Sequence, residues 1–426
     1  MLSLSFLVGE VLERTLLRFS QASPLAQNED ARRGLREYGP YDRSTLGKEK
    51  VLALIICPKL LTKAAETLSL ALSKGTGYFP GFQHLFRIPI RVTGQIVLEN
   101  EATDEISRAV ARASTESPDI VYIVTETRDD ALYSAAKGAL LGNGIPSQVV
   151  TAGKLAPNDQ LQWIIENIAL ASYAKIGGTP WVVAARKPTR QVVIGVSRVQ
   201  DRSGSLIVGI VTMFTQDGDF LLSDYVAPRP LEWNTEEYVS GLTGLIVSAY
   251  RRYERDFGPP DSIVIHLCKR PGQSNEVEAA LRAVKTLGVA VPFALVHLND
   301  DTNFRLFDTS QSHCVPPAGL VVPLAKHRYV VLLDGLVLGR RIRRGIPTPL
   351  EVSLDRRSTV QRDACPDLVK QVADFARVNW RGFNAYASPA TLNYSYLIAK
   401  MISEVGIGNW NEIAAAGRLR DKAWFL

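Results

Sequence analysis

Gln191-Val192-Val193-Ile194-Gly195-Val196-Ser197-Arg198-Val199, Leu206-Ile207-Val208-Gly209-Ile210-Val211-Thr212-Met213-Phe214 and Phe220-Leu221-Leu222-Ser223-Asp224-Tyr225 follow one another closely. All three runs are rich in β-branched and aromatic side chains, and Asp217-Gly218 between the last two is a hairpin turn signal. The spacing predicts three successive antiparallel strands. Downstream, Thr235 to Phe257 has helical spacing, Ser262 to Leu267 reads as a strand, Asn275 to Leu287 as a helix and Ala290 to Leu298 as a strand. Three antiparallel strands, a helix, then a parallel strand and helix is the order of a ribonuclease-H-like core.

Upstream the rhythm differs. Val51 to Cys57, Ile88 to Val92, Ile120 to Val124 and Ser147 to Val150 read as strands, alternating with helical runs at Lys59 to Ser73, Asp104 to Ser114, Asp129 to Leu141 and Asn158 to Lys175. Strand–helix alternation implies a doubly wound parallel sheet, whose ligands bind beyond strand ends. Gly177-Gly178-Thr179-Pro180 breaks the pattern, so the first domain is expected to span 46–178 and the second 179–426. Residues 1–45 fit neither rhythm and are expected to pack on the second domain. Further strands are expected at Leu320 to Pro323 and Tyr329 to Leu333, and two closing helices at Pro366 to Val378 and Pro389 to Val405.

Composition narrows the partners. Lys and Arg number 49 against 43 acids, a net charge of +6, which suits a polyanion without requiring one. Four cysteines without CxxC spacing argue against a disulfide framework or a zinc site, and for a reducing, cytoplasmic setting. Met1 to Val8 is apolar but lacks a basic lead and is soon interrupted by Glu10, Glu13 and Arg14, and no long apolar run predicts a membrane span.

Tyr133 and Lys137 stand one helical turn apart, so a hydroxyl and an ammonium project from one helix face. Gln148, just past Ile145-Pro146-Ser147, adds amide donors, and Lys175 closes the next helix. A terminal phosphate carries close to two charges and demands such a set of cations and donors. The tyrosine ring can also stack under a first base. An isolated Tyr-x-x-x-Lys is more often an amphipathic pair on a solvated face; the order of the four residues along one sheet domain is what favours a pocket.

That arrangement resembles the MID domain of Argonaute proteins, and the likeness continues. Gly34-Leu35-Arg36-Glu37-Tyr38-Gly39-Pro40-Tyr41 is similar to the entry segment of short prokaryotic Argonautes, and Lys175-Ile176-Gly177-Gly178-Thr179-Pro180-Trp181 to their MID-to-PIWI junction. Asn379-Trp380-Arg381-Gly382-Phe383 and the helix from Pro389 to Ala399 resemble PIWI segments. The chain is thereby identified as a member of the short Argonautes, MID plus PIWI, with no room for N or PAZ domains.

The resemblance implies that Tyr133, Lys137, Gln148 and Lys175, with Asn167 nearby, hold a guide's 5′ phosphate. It implies that the terminal carboxylate of Leu426 helps bind Mg²⁺ or another divalent cation there, although an apolar tail docked on the core would explain Trp424-Phe425-Leu426 equally. Some relatives place glutamine four residues before the pocket lysine; here that residue is Ala171. The slicing members carry metal-binding acids at positions matched here by Ser197, Cys268 (or its neighbour Leu267) and Tyr396, so cleavage is not expected. Asp201 falls in a turn, and none of Glu232, Glu236 and Glu237 can be identified with the family's mobile glutamate. His266 and Cys268 share a strand face without an acid partner, and His313-Cys314 is an isolated pair.

Arg340, Arg341, Arg343 and Arg344, with Arg381, are channel candidates for backbone phosphates. By resemblance the expected role is guide RNA loading, recognition of complementary single-stranded DNA, and activation of an APAZ-containing effector of sirtuin-like, TIR-type or nuclease kind in prokaryotic defence. A stand-alone binder and a weak guide-directed endonuclease are the alternatives.

Overall fold

The computed structural model describes the chain except residues 1–7, 43–45, 101, 128–130, 185–188, 201–205, 227–228, 231–234, 269–274, 338, 342–344, 406–409 and 411–418. The side chains of 131–134, 199–200, 206–208, 229–230 and 340–341 are likewise outside the description. Two compact units emerge. One comprises Leu17–Val182, Trp380–Phe383 and Lys400–Leu426; the other comprises Met1–Leu16, Val183–Asn379 and Asn384–Ala399.

The first unit opens with a hairpin, β1 (Leu17–Arg18) and β2 (Gln27–Asn28), and helix α1 (Ala31–Tyr38). Asp30 caps α1 by accepting the Arg33 amide at 2.9 Å. Phe19 of the hairpin lies so close to α1 that a Cβ on Gly34 would stand 2.2 Å from its ring, which makes glycine obligatory there. Then come β3 (Val51–Pro58), α2 (Thr62–Lys74), β4 (Ile90–Leu98), α3 (Thr103–Glu116), β5 (Ile120–Thr125), α4 (Ala131–Gly142), β6 (Ser147–Thr151) and α5 (Leu161–Lys175). The sheet runs β4-β3-β5-β6, with every neighbour parallel, as the alternation predicts. Helix α3 shows why: Ile106, Ala109, Val110 and Ala113 form one apolar stripe that packs with Leu54, Ile56, Val121 and Ile123. Burying Ile106 or Val110 contributes about 2 kcal/mol each.

The second unit holds the runs that opened the sequence. They form β7 (Gln191–Gln200), β8 (Leu206–Thr215) and β9 (Phe220–Tyr225), all antiparallel. Helix α6 (Thr235–Phe257) leads to β10 (Ser262–Leu267), parallel to β7, then α7 (Asn275–Leu287) and β11 (Phe293–Asn299), parallel to β10. Strands β12 (Leu320–Ala325), β13 (Arg328–Val331) and β14 (Leu350–Leu354) extend the sheet in the order β9-β8-β7-β10-β11-β14-β13-β12. One face is covered by α6 and α7. Helices α8 (Cys365–Phe375) and α9 (Ala390–Val405) follow. Gly195 lets α9 reach β7, since a Cβ there would stand 2.8 Å from the Thr391 carbonyl oxygen. This is the ribonuclease-H-like order, and the chain is a mixed α/β protein.

The grouping differs from the expected 1–45, 46–178 and 179–426. Residues from Leu17 onward join the first unit, because Phe19 packs on Trp181 (6.2 Å between centroids) and Asp42 accepts a 2.7 Å hydrogen bond from the Tyr173 hydroxyl. Trp380–Phe383 and Lys400–Leu426 also belong to the first unit. Strand β4 runs to Leu98, beyond the expected Val92, since its polar residues Thr93 and Gln95 sit on an edge strand.

Candidate phosphate site in the first unit

Helix α4 carries Tyr133 and Lys137, and helix α5 carries Asn167, Ala171 and Lys175 at four-residue spacing. The side chain of Tyr133 lies outside the described residues. Lys137 is only 5% exposed and Lys175 is fully buried. The Lys175 ammonium donates to the Ser147 carbonyl at 2.8 Å, pinning the end of α5 to the start of β6. Beside it the Tyr122 hydroxyl donates to Ser172 Oγ at 2.9 Å. Tyr122 is the cross-strand neighbour of Gln148, so this bond sets α5 over the strands that carry the glutamine. Gln148 donates to the Val149 carbonyl, while its Oε1 is buried without a hydrogen-bond partner.

Burial, then the like charges of Lys137 and Arg381, hold the Lys175 ammonium well below the usual lysine range. Among the described residues it forms no ion pair with a carboxylate. Protonating Lys175 there, beside two further cations, is costly in the free protein, and an anion placed among them would relieve that cost.

Arg381, expected along a channel, lies near enough to Lys175 for its charge to lower that pKa. Its segment is anchored on either side: Trp380 Nε1 donates to the Trp181 carbonyl at 3.1 Å, and the Phe383 ring packs on Trp181 at 5.7 Å. A Cβ on Gly382 would lie 3.4 Å from Asn167 Oδ1, which puts Asn167 against the residue that follows Arg381. The C-terminal stretch reaches helix α4 and the turn that follows α5. Val405 lies against Gly138, where a Cβ would meet it at 3.1 Å, and Lys422 lies beside Gly177. Ala423, Trp424, Phe425 and Leu426 are all buried.

The other sequence candidates are in the second unit. Ser197 is 4% exposed on β7, with its hydroxyl buried and unpartnered. The Cys268 amide, just past β10, donates to the Val196 carbonyl at 3.2 Å, so the two positions are neighbours. His266 on β10 is fully buried and bonds Thr391 at 2.9 Å through Nδ1; burial pushes its pKa down to about 3, so it is neutral. Tyr396 on α9 is 60% exposed. Among the described residues no group of three or more His, Cys, Asp or Glu side chains could hold a metal ion. Arg340 and Arg341 form a short strand paired with Leu336–Val337. Arg343, Arg344, Asp201 and Glu232 lie outside the described residues. No helix among the described residues is long and apolar enough to cross a membrane.

The sequence matches the family model of the Piwi domain over residues 119–405. It is 25% identical to the protein argonaute of Cereibacter sphaeroides, an alignment covering 93% of this chain and 56% of that protein. It is 23% identical to the Piwi protein of Archaeoglobus fulgidus, covering 95% of each. The fold superposes on Clostridium butyricum Argonaute, solved with a guide DNA and a 19-mer target DNA, with a TM-score of 0.75 and 17% identity. That match covers 96% of this chain and 54% of the other. On the strength of the matched domain, which takes in more than half the sequence, the chain belongs to the Piwi-domain family of Argonaute proteins.

Proposed function

We propose that this chain grips the 5′ phosphate of a guide strand, a small RNA, and pairs it with complementary single-stranded invader DNA without cutting it. Lys137, Lys175, Gln148 and Asn167, with Tyr133, form the anchor, and Arg381 joins them. The observation that carries this reading is the fully buried Lys175, set among cations. A doubly charged phosphate would restore its ordinary protonation and supply acceptors for its remaining N–H groups. The Clostridium relative bound to guide and target DNA is consistent with it.

A divalent cation beside the phosphate would find oxygen donors in the orphaned Gln148 Oε1 and in a carboxylate at Leu426; Ala171 offers none. That set fits magnesium, which keeps phosphate oxygens and water in its shell. Ser197, Cys268 and Tyr396 support the reading that the second unit holds no pair of catalytic metals, since none is a magnesium ligand of the carboxylate kind. The domains are then a MID domain near 46–178 and a PIWI domain from 179, and Arg340, Arg341, Arg343 and Arg344 would meet backbone phosphates. Recognition would be passed to an APAZ-containing effector, sirtuin-like, TIR-type or nuclease, in cytoplasmic defence against plasmids or phage.

Titration of the purified chain with 5′-phosphorylated and 5′-hydroxyl strands tests the anchor. A strong preference for phosphate, abolished by Lys137→Ala with Tyr133→Ala, is expected; equal binding of both strands would remove the assignment. Sequencing the co-purified nucleic acid identifies the guide, and incubation with target and manganese should leave the target whole. Co-expression with a neighbouring effector gene should give a stable complex whose output depends on guide and target.

A further inference from the structure

Away from the pocket, the same unit carries a stack of four side chains. The Arg32 guanidinium lies 4.7 Å from the Phe383 ring centre on one contact and 4.9 Å from that of Trp163 on another. It is held there by the buried Glu166 at 2.5 Å. Trp163 in turn stacks with Tyr78, at 6.0 Å between centroids and 29° between planes. Tyr78 ends the series 70% exposed.

An exposed aromatic on a loop is ordinarily loose, but this one is fastened on both sides. Its amide donates to Gln162 Oε1 at 2.6 Å and its carbonyl accepts from Arg36 at 2.7 Å. Gly77, at φ +55°, is required for that grip, since a Cβ would stand 2.2 Å from Gln162 Oε1. Alongside runs an open groove of about 440 Å³ lined by Asp30, Arg32, Arg33, Arg36 and Glu37. A rigid ring with a free face beside arginines is a platform for a nucleobase.

The platform is continuous with the phosphate site. Arg381 acts on Lys175, Gly382 sits against Asn167 and Phe383 covers Arg32, so three successive residues trace α5 from Lys175 back toward Trp163. Those twelve residues of helix rise about 18 Å, the length of about five stacked nucleotides.

We propose that Tyr78 receives an unpaired base of the target strand, in the flank that runs on past the guide's anchored end. This rests on the phosphate reading above. Antiparallel pairing sends the target's 3′ side beyond the guide's first nucleotide, and a partner bearing both bases and phosphates matches the ring and the arginines together. The flank adds affinity through stacking, without regard to its sequence.

The full chain, loaded with a 5′-phosphorylated guide, is titrated with targets that end at the guide's first nucleotide or continue by about five or ten more at the 3′ side. The flank should tighten binding roughly tenfold, as one stacked base does. Tyr78→Ala should erase the gain and Tyr78→Phe keep it, while guide loading stays the same in both. A 2-aminopurine placed in the flank should be quenched only when Tyr78 or Tyr78→Phe is present. No gain in the unaltered chain, a gain that survives Tyr78→Ala, or weaker guide loading in that variant would each overturn the proposal. The guide-only titration separately reports phosphate preference, so failure of the pocket itself, which would take the platform with it, is seen as such.

Discussion

The cluster around Lys175 and the patch around Ser197 each have a buried polar side chain at their centre, and they treat charge in opposite ways. The first gathers Lys137, Lys175 and Arg381 without a carboxylate on Lys175. The second sets a serine hydroxyl, a neutral histidine and a cysteine side by side. In the first region burial and like charge work against protonation of Lys175; in the second, neutral polar groups are buried, with the Ser197 hydroxyl and His266 Nε2 left without hydrogen-bond partners. The contrast teaches that burial costs protonation in the first region and hydrogen bonds in the second.

The sharpest way to break the contrast is Lys175→Met. It should cost roughly 3 kcal/mol in binding a 5′-phosphorylated strand, a hundredfold or more, because a buried phosphate loses its partner. The same change should raise the melting temperature of the free chain by about 3 °C, since a buried amine whose protonation burial, Lys137 and Arg381 oppose gives way to an apolar side chain. Calorimetry with and without the strand measures both, and a variant that loses stability while retaining binding would reverse the assignment.

Making the second region resemble a metal site is the next test. Ser197→Asp with Cys268→Asp should destabilise the chain by about 2 kcal/mol, from a carboxylate placed at the buried Ser197 with a second beside it. Manganese should restore part of that in the variant and leave the unaltered chain unchanged in a thermal melt. A metal shift in the unaltered chain would show that carboxylates already converge there.

The two regions also divide in their response to pH. The folded pKa of Lys175 is lowered, so the unfolded chain binds more protons and stability rises as pH climbs toward the ordinary lysine value of about 10.5. Phosphate binding raises that pKa again, so affinity falls over the same climb and binding takes up protons, which titration calorimetry in two buffers detects. His266, near 3 when folded and 6.5 when unfolded, weakens the fold as pH drops from 6.5 toward 3. His266→Gln should flatten that acid limb and leave the phosphate response alone.

The smallest effect expected is from Arg381→Ala. Arg381 is exposed, and its removal should weaken phosphate binding by about tenfold while relieving Lys175 of one repulsion.

Strand periodicity carried the fold, because both sheets bury apolar runs whose alternation with helices is local. The elements that escaped were those whose reason is not local. Leu350–Leu354 is not among the strands expected from the sequence and takes its place through pairing with Phe293–Asn299, and the hairpin at Leu17 to Asn28 exists through Phe19 meeting Gly34 and Trp181. At the site, spacing on two helices pointed to Lys137 and Lys175. It could not reveal the Ser147 carbonyl, a backbone group, nor bring in Arg381 from more than two hundred residues away. The Arg32 stack had no sequence signature, since its rings come from three separate stretches.

When Lys175 is protonated, as phosphate binding requires, the Ser147 oxygen occupies one of its three N–H bonds. Two prongs remain, fixed in direction by the tether rather than free to swivel. A guanidinium put in that place would be flat and longer, unable to keep the tether and present the same two prongs. Lys175→Arg should therefore behave as a lesion despite retaining its charge, and the strand end would be read by shape as much as by sign.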